Sequence, residues 1–294
     1  MHLGLTALLD FYREHRTEEM LVLGTVVATE GSTYRKPGAM MLIAADSSYR
    51  GLISGGCLEA DLAAHARDVF ADCKTRNVCY DMSEGDDFAW GLGLGCDGII
   101  HLMLQRLEQS SGFGFLEILD EAWKAKRHGL LSLVTQSKSP EFSAGDFALD
   151  CGAEHRTGSP LLINRIHNHE GASFSRGHDM SRRYWQETIE TDKGNIELLL
   201  IPIMPPPAVL ICGAGHDAVP VARMATEMGW RCTIVDHRPA FARADRFPAT
   251  CEVLTLQPTE LSQHIRLDEL DAAVLMTHHL GHDRSYLAQV VDAS

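Results

Sequence analysis

The sequence has 294 residues and eight cysteines, but no two cysteines stand at CxxC spacing, so a structural zinc ribbon is not expected. Residues 1–10 lack the basic segment and the cleavage site of a signal peptide. The longest uncharged run, 198–215, contains prolines at 202 and 205–207 and cannot form a membrane-spanning helix. We therefore expect a cytoplasmic protein whose cysteines are thiols rather than disulfides.

Positive charge is scarce. The 26 lysines and arginines face 40 aspartates and glutamates, which gives a formal net charge of -14. Such a surface repels nucleic-acid phosphates and anionic membranes, so neither is expected as a partner. An anionic small ligand would need a local positive pocket. The 45% of hydrophobic residues is typical of a globular chain and excludes a disordered one.

The hydrophobic patterns predict an α/β protein in three parts. Residues 1–110 read as an α+β domain, and 111–204 as a connecting region with a helix and a hairpin, in which 137–182 show no clear period. After the prolines, strands alternate with helices over 205–294, which predicts a Rossmann-like parallel sheet. About four strands are visible there, fewer than the usual six, so we expect the domain to continue beyond residue 294.

A glycine-rich motif, GAGHDA at 213–218, lies between the first strand and helix of that last part. Gly213 permits a tight turn, and Gly215 lets a phosphate approach the helix N-terminus. Asp236 ends the next strand, where a carboxylate can accept hydrogen bonds from ribose hydroxyls. The alternative is a Rossmann-type fold that binds no nucleotide, because the motif specifies geometry rather than occupancy.

In the first part, Gly55 and Gly56 precede Cys57, which opens a helix. Backbone amides at such a turn form an anion site, and the position suits Cys57 for thiolate chemistry or for contact with a metal or sulfur ligand. Glu59 is explained by the helix dipole. The alternative is a small cysteine packed under a glycine turn.

A second thiol, Cys96, follows Gly95 in the segment GLGLGCDG. Alternating glycines let a ligand approach the backbone, although a glycine hinge is the alternative. Two soft sulfur ligands from separate loops, Cys57 and Cys96, suit molybdenum, copper(I) or the transfer of a persulfide.

Two further segments could bind a ligand. Ser32, Arg35 and Lys36 lie in a tight polar loop that could hold a phosphate, or could be merely solvated. Thr277 and His278 end a predicted strand, at the edge where open α/β sheets bind ligands. The HHxxHD pattern at 278–283 could also bind a metal, although histidines cluster adventitiously.

Together these motifs resemble the XdhC/CoxI family. The matching segments are EGSTYRKPGAMML, GLISGGCLE, GLGLGCDG, VLICGAGHDAVPVA and VDHRPAFARADRFP. The family's GGCLE falls on 55–59, its Gly-Cys on 95–96, its GAGH on 213–216 and its THD-like strand end on 277–278. The chain departs from the pattern at Asp217, where a small apolar residue is usual, and at His279, where aspartate is usual.

The resemblance implies an accessory protein rather than an enzyme. It would bind the molybdenum cofactor (molybdopterin), assist its sulfuration and insert it into a xanthine-dehydrogenase-type enzyme. The implied partners are that client enzyme, a sulfur donor and a second copy of the chain.

Candidate roles follow for particular residues. Ser32, Arg35, Lys36 and the backbone around Gly55, Gly56 and Gly95 would hold the cofactor, with Cys57 and Cys96 at its metal end. A nucleotide would contact Gly213, Gly215, His216, Asp236, Thr277 and His278. Two alternatives stay open: an NAD(P)-dependent oxidoreductase, with His278 available for hydride transfer, and a nucleotide-sensing regulatory module.

Overall fold

A computed structural model describes residues 4–82, 98–168 and 183–292. The chain forms two compact units, Leu3–Pro205 and Pro206–Ser294. The first contains two antiparallel sheets and the second one parallel sheet. The mixed α/β class with a Rossmann-like C-terminal part is confirmed.

The first unit begins with a five-stranded sheet and two helices. Its elements are α1 (Leu5–His15), β1 (Met20–Gly31), β2 (Met40–Ile43), β3 (Tyr49–Gly51), α2 (Glu59–Asp72), β4 (Arg76–Asp81) and β5 (Gly98–Glu108). The strand order is β3-β2-β1-β5-β4, and every neighbouring pair is antiparallel. The strand β1 therefore lies at the centre of the sheet, between β2 and β5.

A second sheet completes this unit. Its elements are α3 (Leu116–Lys124), β6 (Gly129–Ser137), β7 (Phe147–Asp150), β8 (Arg156–Gly158), α4 (Pro160–Asn168), β9 (Trp185–Thr191) and β10 (Gly194–Ile203). The strand order is β8-β7-β6-β10-β9. The segment 137–182, in which the sequence shows no clear period, contains β7, β8 and α4 in its described part.

The central strand β1 is apolar over most of its length because both of its faces are buried. Val22 and Val26 pack with α2 residues such as Leu62. Leu21 and Leu23 on the opposite face join a core shared with α1, α3 and the second sheet. Strands covered on both faces lose the usual alternation of polar and apolar residues.

The second unit is a parallel sheet with helices between its strands. Its elements are β11 (Ala208–Cys212), α5 (Ala218–Glu227), β12 (Arg231–Asp236), β13 (Glu252–Thr255), α6 (Leu261–His264), β14 (Ala272–Leu275) and α7 (Leu280–Asp292). The order β13-β12-β11-β14 corresponds to 3-2-1-4, as in the first four strands of a dinucleotide-binding fold. Ligands in such folds bind at the carboxyl ends of the strands.

Two general expectations can be compared with the described residues. No helix among them is long and apolar enough to cross a membrane. The seven cysteines in those ranges are all free thiols.

Candidate functional site

A buried glutamate holds the turn between β3 and α2. Glu59 is only 1% exposed, and its Oε1 accepts hydrogen bonds from the backbone amides of Ile53 (3.0 Å) and Ser54 (2.8 Å). Its Oε2 accepts the hydroxyl of Ser54 at 2.6 Å. Burying a carboxylate is costly unless hydrogen bonds compensate, and here three do. Glu59 therefore fixes the path of the turn, a larger role than the helix-dipole effect that the sequence predicts.

The hydroxyl of Ser54 accepts hydrogen bonds from backbone amides of the same turn. Its Oγ accepts hydrogen bonds from the backbone N–H groups of Gly56, Cys57 and Leu58, each at 3.2 Å. The sequence predicts that amides around Gly55 to Cys57 hold an anion. In the structure those of Gly56 and Cys57 already donate to Ser54, so an anion would have to compete with this oxygen.

The thiol of Cys57 lies beside this Glu59–Ser54 network, partly exposed, with its Sγ 3.5 Å from Ser54 Oγ. A hydroxyl has one proton, and Ser54 donates it to Glu59. The same oxygen accepts three backbone amides, so Cys57 Sγ lies beside a hydroxyl whose hydrogen-bonding capacity is already used.

Three of the motifs meet at one end of the first sheet. Gly31, the last residue of β1, pairs with Gly98, the first residue of β5. A Cβ atom at Gly98 would lie 2.6 Å from the carbonyl oxygens of both Glu30 and Ser32, so only glycine fits there. A Cβ atom on Gly55 would lie 4.0 Å from the ring of Tyr34, so the 31–38 loop also borders the glycine turn. Gly95 and Cys96, a few residues before β5 in the sequence, lie outside the described residues.

The 31–38 loop brings two positive charges to this end of the sheet. Lys36 Nζ donates to Thr33 Oγ1 at 3.2 Å, and Thr33 Oγ1 donates to the carbonyl of Arg35 at 2.9 Å. Among the described residues no carboxylate forms an ion pair with Arg35 or Lys36. Ser32 is exposed beside them. The loop therefore offers local positive charge in a protein whose net charge is -14.

A cavity of about 630 Å³ lies between α2 and β4. Inside it the Tyr80 hydroxyl donates to Asp61 Oδ2 at 2.6 Å, and His65 Nε2 lies 3.4 Å from the same oxygen. Burial and the neighbouring Asp61 raise the pKa of Tyr80, so it stays a hydrogen-bond donor. The volume is within the range of small-molecule sites. The lining residues are Leu58, Asp61, His65, Asp68, Arg76, Asn77, Val78, Cys79, Tyr80, Asp81 and Met82.

In the second unit the glycine motif makes the tight turn that the sequence predicts. Gly213 has φ +115°, and a Cβ atom there would lie 2.6 Å from the carbonyl oxygen of Met276. Both the backbone conformation and the space therefore require glycine. Arg246 holds this loop from its carbonyl side, donating to the oxygens of Ala214 at 2.7 Å and Gly215 at 3.3 Å.

Asp236 is buried and hydrogen-bonded by neighbouring groups of the protein. It is 2% exposed. Its Oδ2 accepts the amide of Ala214 and Nη2 of Arg238, both at 2.8 Å, and its Oδ1 accepts the amide and Nε of Arg238, both at 2.9 Å. Burial opposes ionisation, but these hydrogen bonds prevail and lower the pKa of Asp236 to about 2. The ribose contact that the sequence predicts for this carboxylate stays a prediction; in the structure Oδ2 holds the glycine loop through the amide of Ala214, and both oxygens bind Arg238.

The remaining predicted nucleotide contacts lie around the same edge of the parallel sheet. His216 packs edge-on against the ring of Phe241, with centroids 6.4 Å apart. Thr277 donates its hydroxyl to Asp283 Oδ1 at 2.6 Å. His278 is 73% exposed, and its Nε2 lies 2.8 Å from Asp217 Oδ2. The structure thus brings His278 and the glycine loop together through Asp217.

Three histidine rings at this edge lie in contact, one pair edge-on and one pair tilted. The ring centroids of His237 and His282 are 4.5 Å apart, and those of His279 and His282 are 4.2 Å apart. In the parts of the chain that the structure describes, no three histidine, cysteine, aspartate or glutamate side chains converge as metal ligands. The pairing of Cys57 with Cys96 as metal ligands stays a prediction, because Cys96 is not among those residues.

Comparison with protein-family models assigns both units. The model of the XdhC and CoxI family matches residues 15–81, and the model of the XdhC Rossmann domain matches residues 209–294. Together they cover more than half of the sequence. The chain belongs to the XdhC and CoxI family.

Relatives of this XdhC/CoxI protein are found among curated proteins and solved structures. A Bacillus subtilis (strain 168) protein named as a probable subunit of xanthine dehydrogenase is 29% identical over 292 residues, which cover 97% of this chain and 78% of the relative. The Escherichia coli (strain K12) molybdenum cofactor insertion chaperone PaoD is 33% identical over 110 residues, 37% of this chain and 33% of PaoD. A crystal structure of a xanthine dehydrogenase from Bacillus halodurans superposes with a TM-score of 0.71 at 27% identity, over 96% of this chain and 76% of that one.

Sequence reasoning missed Ser54, Arg238 and Arg246 and gave Glu59 only a helix-dipole role, although all four residues shape the two XdhC/CoxI turns. A signal for each was present. Ser54 and Glu59 flank the glycine pair within the family segment GLISGGCLE, and the two arginines lie in the family segment VDHRPAFARADRFP. What the sequence could not show was the direction of each side chain after the turn.

Proposed function

We propose that this chain is an accessory protein of molybdenum-enzyme maturation. In this proposal it binds the molybdenum cofactor and helps to insert it into a xanthine-dehydrogenase-type client. Family membership supports this role, as do the names of two relatives, a molybdenum cofactor insertion chaperone and a probable subunit of xanthine dehydrogenase. The proposal extends to sulfuration of the cofactor, with a donor protein supplying the sulfur, and to a homodimer.

The single observation that carries the proposal is the meeting of the 31–38 loop, the glycine turn and the start of β5. It places Arg35 and Lys36 in the loop that borders Gly55, two residues before the thiol of Cys57. Cations and hydroxyls suit the phosphate of a pterin cofactor, and a thiol suits its molybdenum end. These are two different chemical needs of one ligand, and neighbouring segments of the chain supply both.

Each group has a defined task in this proposal. Arg35, Lys36 and Ser32 bind the phosphate, and the cofactor supplies the redox-active metal that the client enzyme needs. Glu59 keeps Ser54 and the turn in place. Cys57 would contact the metal end from the partly exposed side of the turn, and Cys96 is proposed as the second thiol. The cavity between α2 and β4, which begins at Leu58, offers room for the pterin rings.

The test is retention of the isolated molybdenum cofactor under anaerobic conditions. Free cofactor is removed by filtration, and retained pterin is read as its fluorescent oxidation product. We expect stoichiometric retention by the wild type and a loss of at least about tenfold in the Cys57→Ser, Cys96→Ser double variant, because each thiol is proposed to contact the metal end.

Two further variants sharpen this test. Cys73→Ser is the matched control, since Cys73 is an exposed free thiol at the opposite end of α2. The Arg35→Gln, Lys36→Gln double variant should also lose retention. Retention by every variant would move the site away from these residues. A wild type that retains no pterin would contradict the proposed function itself.

The glycine loop at 213–217 is the observation behind a second candidate, an NAD(P)-dependent oxidoreductase or a nucleotide-sensing module. The strand order and Gly213 favour it. Against it, the carboxylate of Asp236 is already engaged by Ala214 and Arg238. Titration with NADH separates the candidates: binding with turnover would support the oxidoreductase, and binding without turnover the sensor.

A further inference from the structure

The phosphate position of the glycine loop contains a carboxylate of the protein itself. In dinucleotide-binding folds the phosphate lies against the second glycine of the motif, at the N-terminus of the helix that follows. In this chain these features are Gly215 and α5. Oδ1 of Asp217 lies directly over Gly215, so close that a Cβ atom at 215 would collide with it. The side chain thus covers the surface on which a phosphate would rest.

Asp217 is held in this position from the neighbouring strand end. His278 follows β14 in a left-handed backbone conformation, with φ +59°, and its Nε2 lies 2.8 Å from Oδ2 of Asp217. Burial opposes ionisation of Asp217, but the hydrogen bond with His278 and the backbone amides of Asp217 and Ala218 prevail and lower its pKa. These are the first amides of the helix, the groups that would otherwise face a phosphate.

From this geometry we infer that Asp217 is a specificity-determining residue of the Rossmann unit, whose carboxylate keeps phosphate-bearing ligands off the glycine loop. A phosphate at Gly215 would lie within about 4 Å of this anion, where like charges repel strongly. It would also have to displace the contact with His278. The glycine loop therefore admits only ligands that present no phosphate to Gly215. This inference is independent of the proposed function, which rests on the first unit.

The test compares ligands that differ in phosphate and variants that differ in charge. NADH, ADP and adenosine are titrated by calorimetry into the full-length wild type, Asp217→Asn and Asp217→Ala. We expect no saturable binding of NADH or ADP to the wild type up to about 1 mM, the concentration range of weak ligands. Both variants should bind NADH and ADP at least about tenfold more tightly than the wild type, since the repulsion is removed.

Adenosine and a second acidic residue provide the controls. Adenosine carries no phosphate, so its affinity should be the same in all proteins. Asp268→Asn removes an exposed carboxylate of the same unit that pairs with Arg266, and it should bind like the wild type. Asparagine keeps the size of aspartate, so Asp217→Asn stays informative if the alanine variant unfolds, as checked by circular dichroism.

Two results would overturn the inference. One is micromolar binding of NADH by the wild type. The other is a folded Asp217→Asn protein that binds NADH no better than the wild type does. Failure here leaves the proposed function untouched, because retention of the molybdenum cofactor is measured separately.

Discussion

A buried carboxylate holds each of the two glycine-rich turns of this protein, but the groups that bind the two carboxylates differ in charge. Each lies between a strand and a helix, and each has a buried carboxylate that accepts backbone amides: Glu59 in the first unit and Asp236 in the second. Glu59 receives only neutral donors, two amides and the Ser54 hydroxyl. Asp236 receives the guanidinium of Arg238 as well. One anion is compensated by hydrogen bonds alone, the other by an opposite charge.

The groups that the two turns present to solvent also differ. The first turn presents Cys57, a soft sulfur ligand, beside a loop with two cations. The second presents Asp217, an anion that lies over Gly215. A glycine-rich turn at a helix N-terminus therefore does not define a phosphate site by itself. Under both proposals, the side chain that follows the glycines decides which ligands the turn accepts.

Removing the carboxylate at the first turn should have the largest effect on stability. Glu59→Ala leaves two buried amides and the Ser54 hydroxyl without an acceptor, so we expect a loss of about 3 kcal/mol in the free energy of unfolding. Urea denaturation measures this. Glu14→Ala, an exposed position in α1, is the control and should change stability by less than about 0.5 kcal/mol. A Glu59→Ala protein as stable as that control would show that the Glu59–Ser54 network is unnecessary.

Removing the carboxylate at the second turn should reduce stability less, because Arg238, one partner of Asp236, is partly exposed to solvent. In Asp236→Asn the new side-chain NH2 group is itself a donor and faces the N–H donors of Ala214 or Arg238. We therefore expect a loss of about 2 kcal/mol in the free energy of unfolding at pH 7. Arg238 is 39% exposed, so solvent weakens its electrostatic attraction to Asp236. Asp268→Asn, which breaks an exposed pair, should lose less than about 1 kcal/mol. Equal losses in Asp236→Asn and Asp268→Asn would contradict the expectation that the buried carboxylate contributes more to stability than the exposed one.

The interaction of Asp236 with Arg238 predicts that the stability of the protein depends on pH. The pKa of Asp236 is about 2 in the folded protein, below the value of about 3.9 for an aspartate in an unfolded chain. At pH values above the pKa of the unfolded state, the lowered pKa stabilises the folded state. This contribution to stability is lost as the pH falls from about 4 towards 2. The stability difference between wild type and Asp236→Asn should therefore be constant from about pH 7 to about pH 5 and shrink below about pH 4. A constant difference throughout would contradict the assigned pKa.

The sequence predicts the parallel unit well because several of its signals are local. Strand, GxGxxA turn, helix and the aspartate at the end of the next strand follow one another within about thirty residues, the length of one such unit. The elements missed in 137–182 are short: β7 has four residues and β8 three. They are stabilised by pairing, β7 with β6 and β8 with β7, which is a tertiary effect without a periodic signature.

The candidate sites show where local reasoning fails. The sequence assigns Asp236 to a ribose contact, which stays a prediction, and Glu59 to the helix dipole, and it does not show that both carboxylates accept amides of the turns. Both side chains turn inward, because unpaired amides of a buried turn need an acceptor. Whether a carboxylate serves such amides or a ligand depends on burial, and burial depends on the packing of the whole unit.

The smallest expected change in stability separates the two parts of the Glu59–Ser54 network. Ser54→Ala keeps Glu59 on the amides of Ile53 and Ser54 but frees the amides of Gly56, Cys57 and Leu58, so we expect a loss of about 1 kcal/mol. These freed amides at a helix start can then stabilise a thiolate. Alkylation of Cys57 by iodoacetamide should therefore become about threefold to tenfold faster. Mass spectrometry of the modified peptides follows the rate.

Cys73 in the same molecule provides an internal control, because it is an exposed thiol at the far end of α2 from Ser54. Its alkylation rate should not change, whereas Ser54→Thr, which keeps the hydroxyl, should return Cys57 towards the wild-type rate. Unchanged reactivity of Cys57 in a folded Ser54→Ala protein would mean that the serine does not restrain the thiol. The first turn would then differ from the second only in the charge of its partners, since neither would control a reactive group.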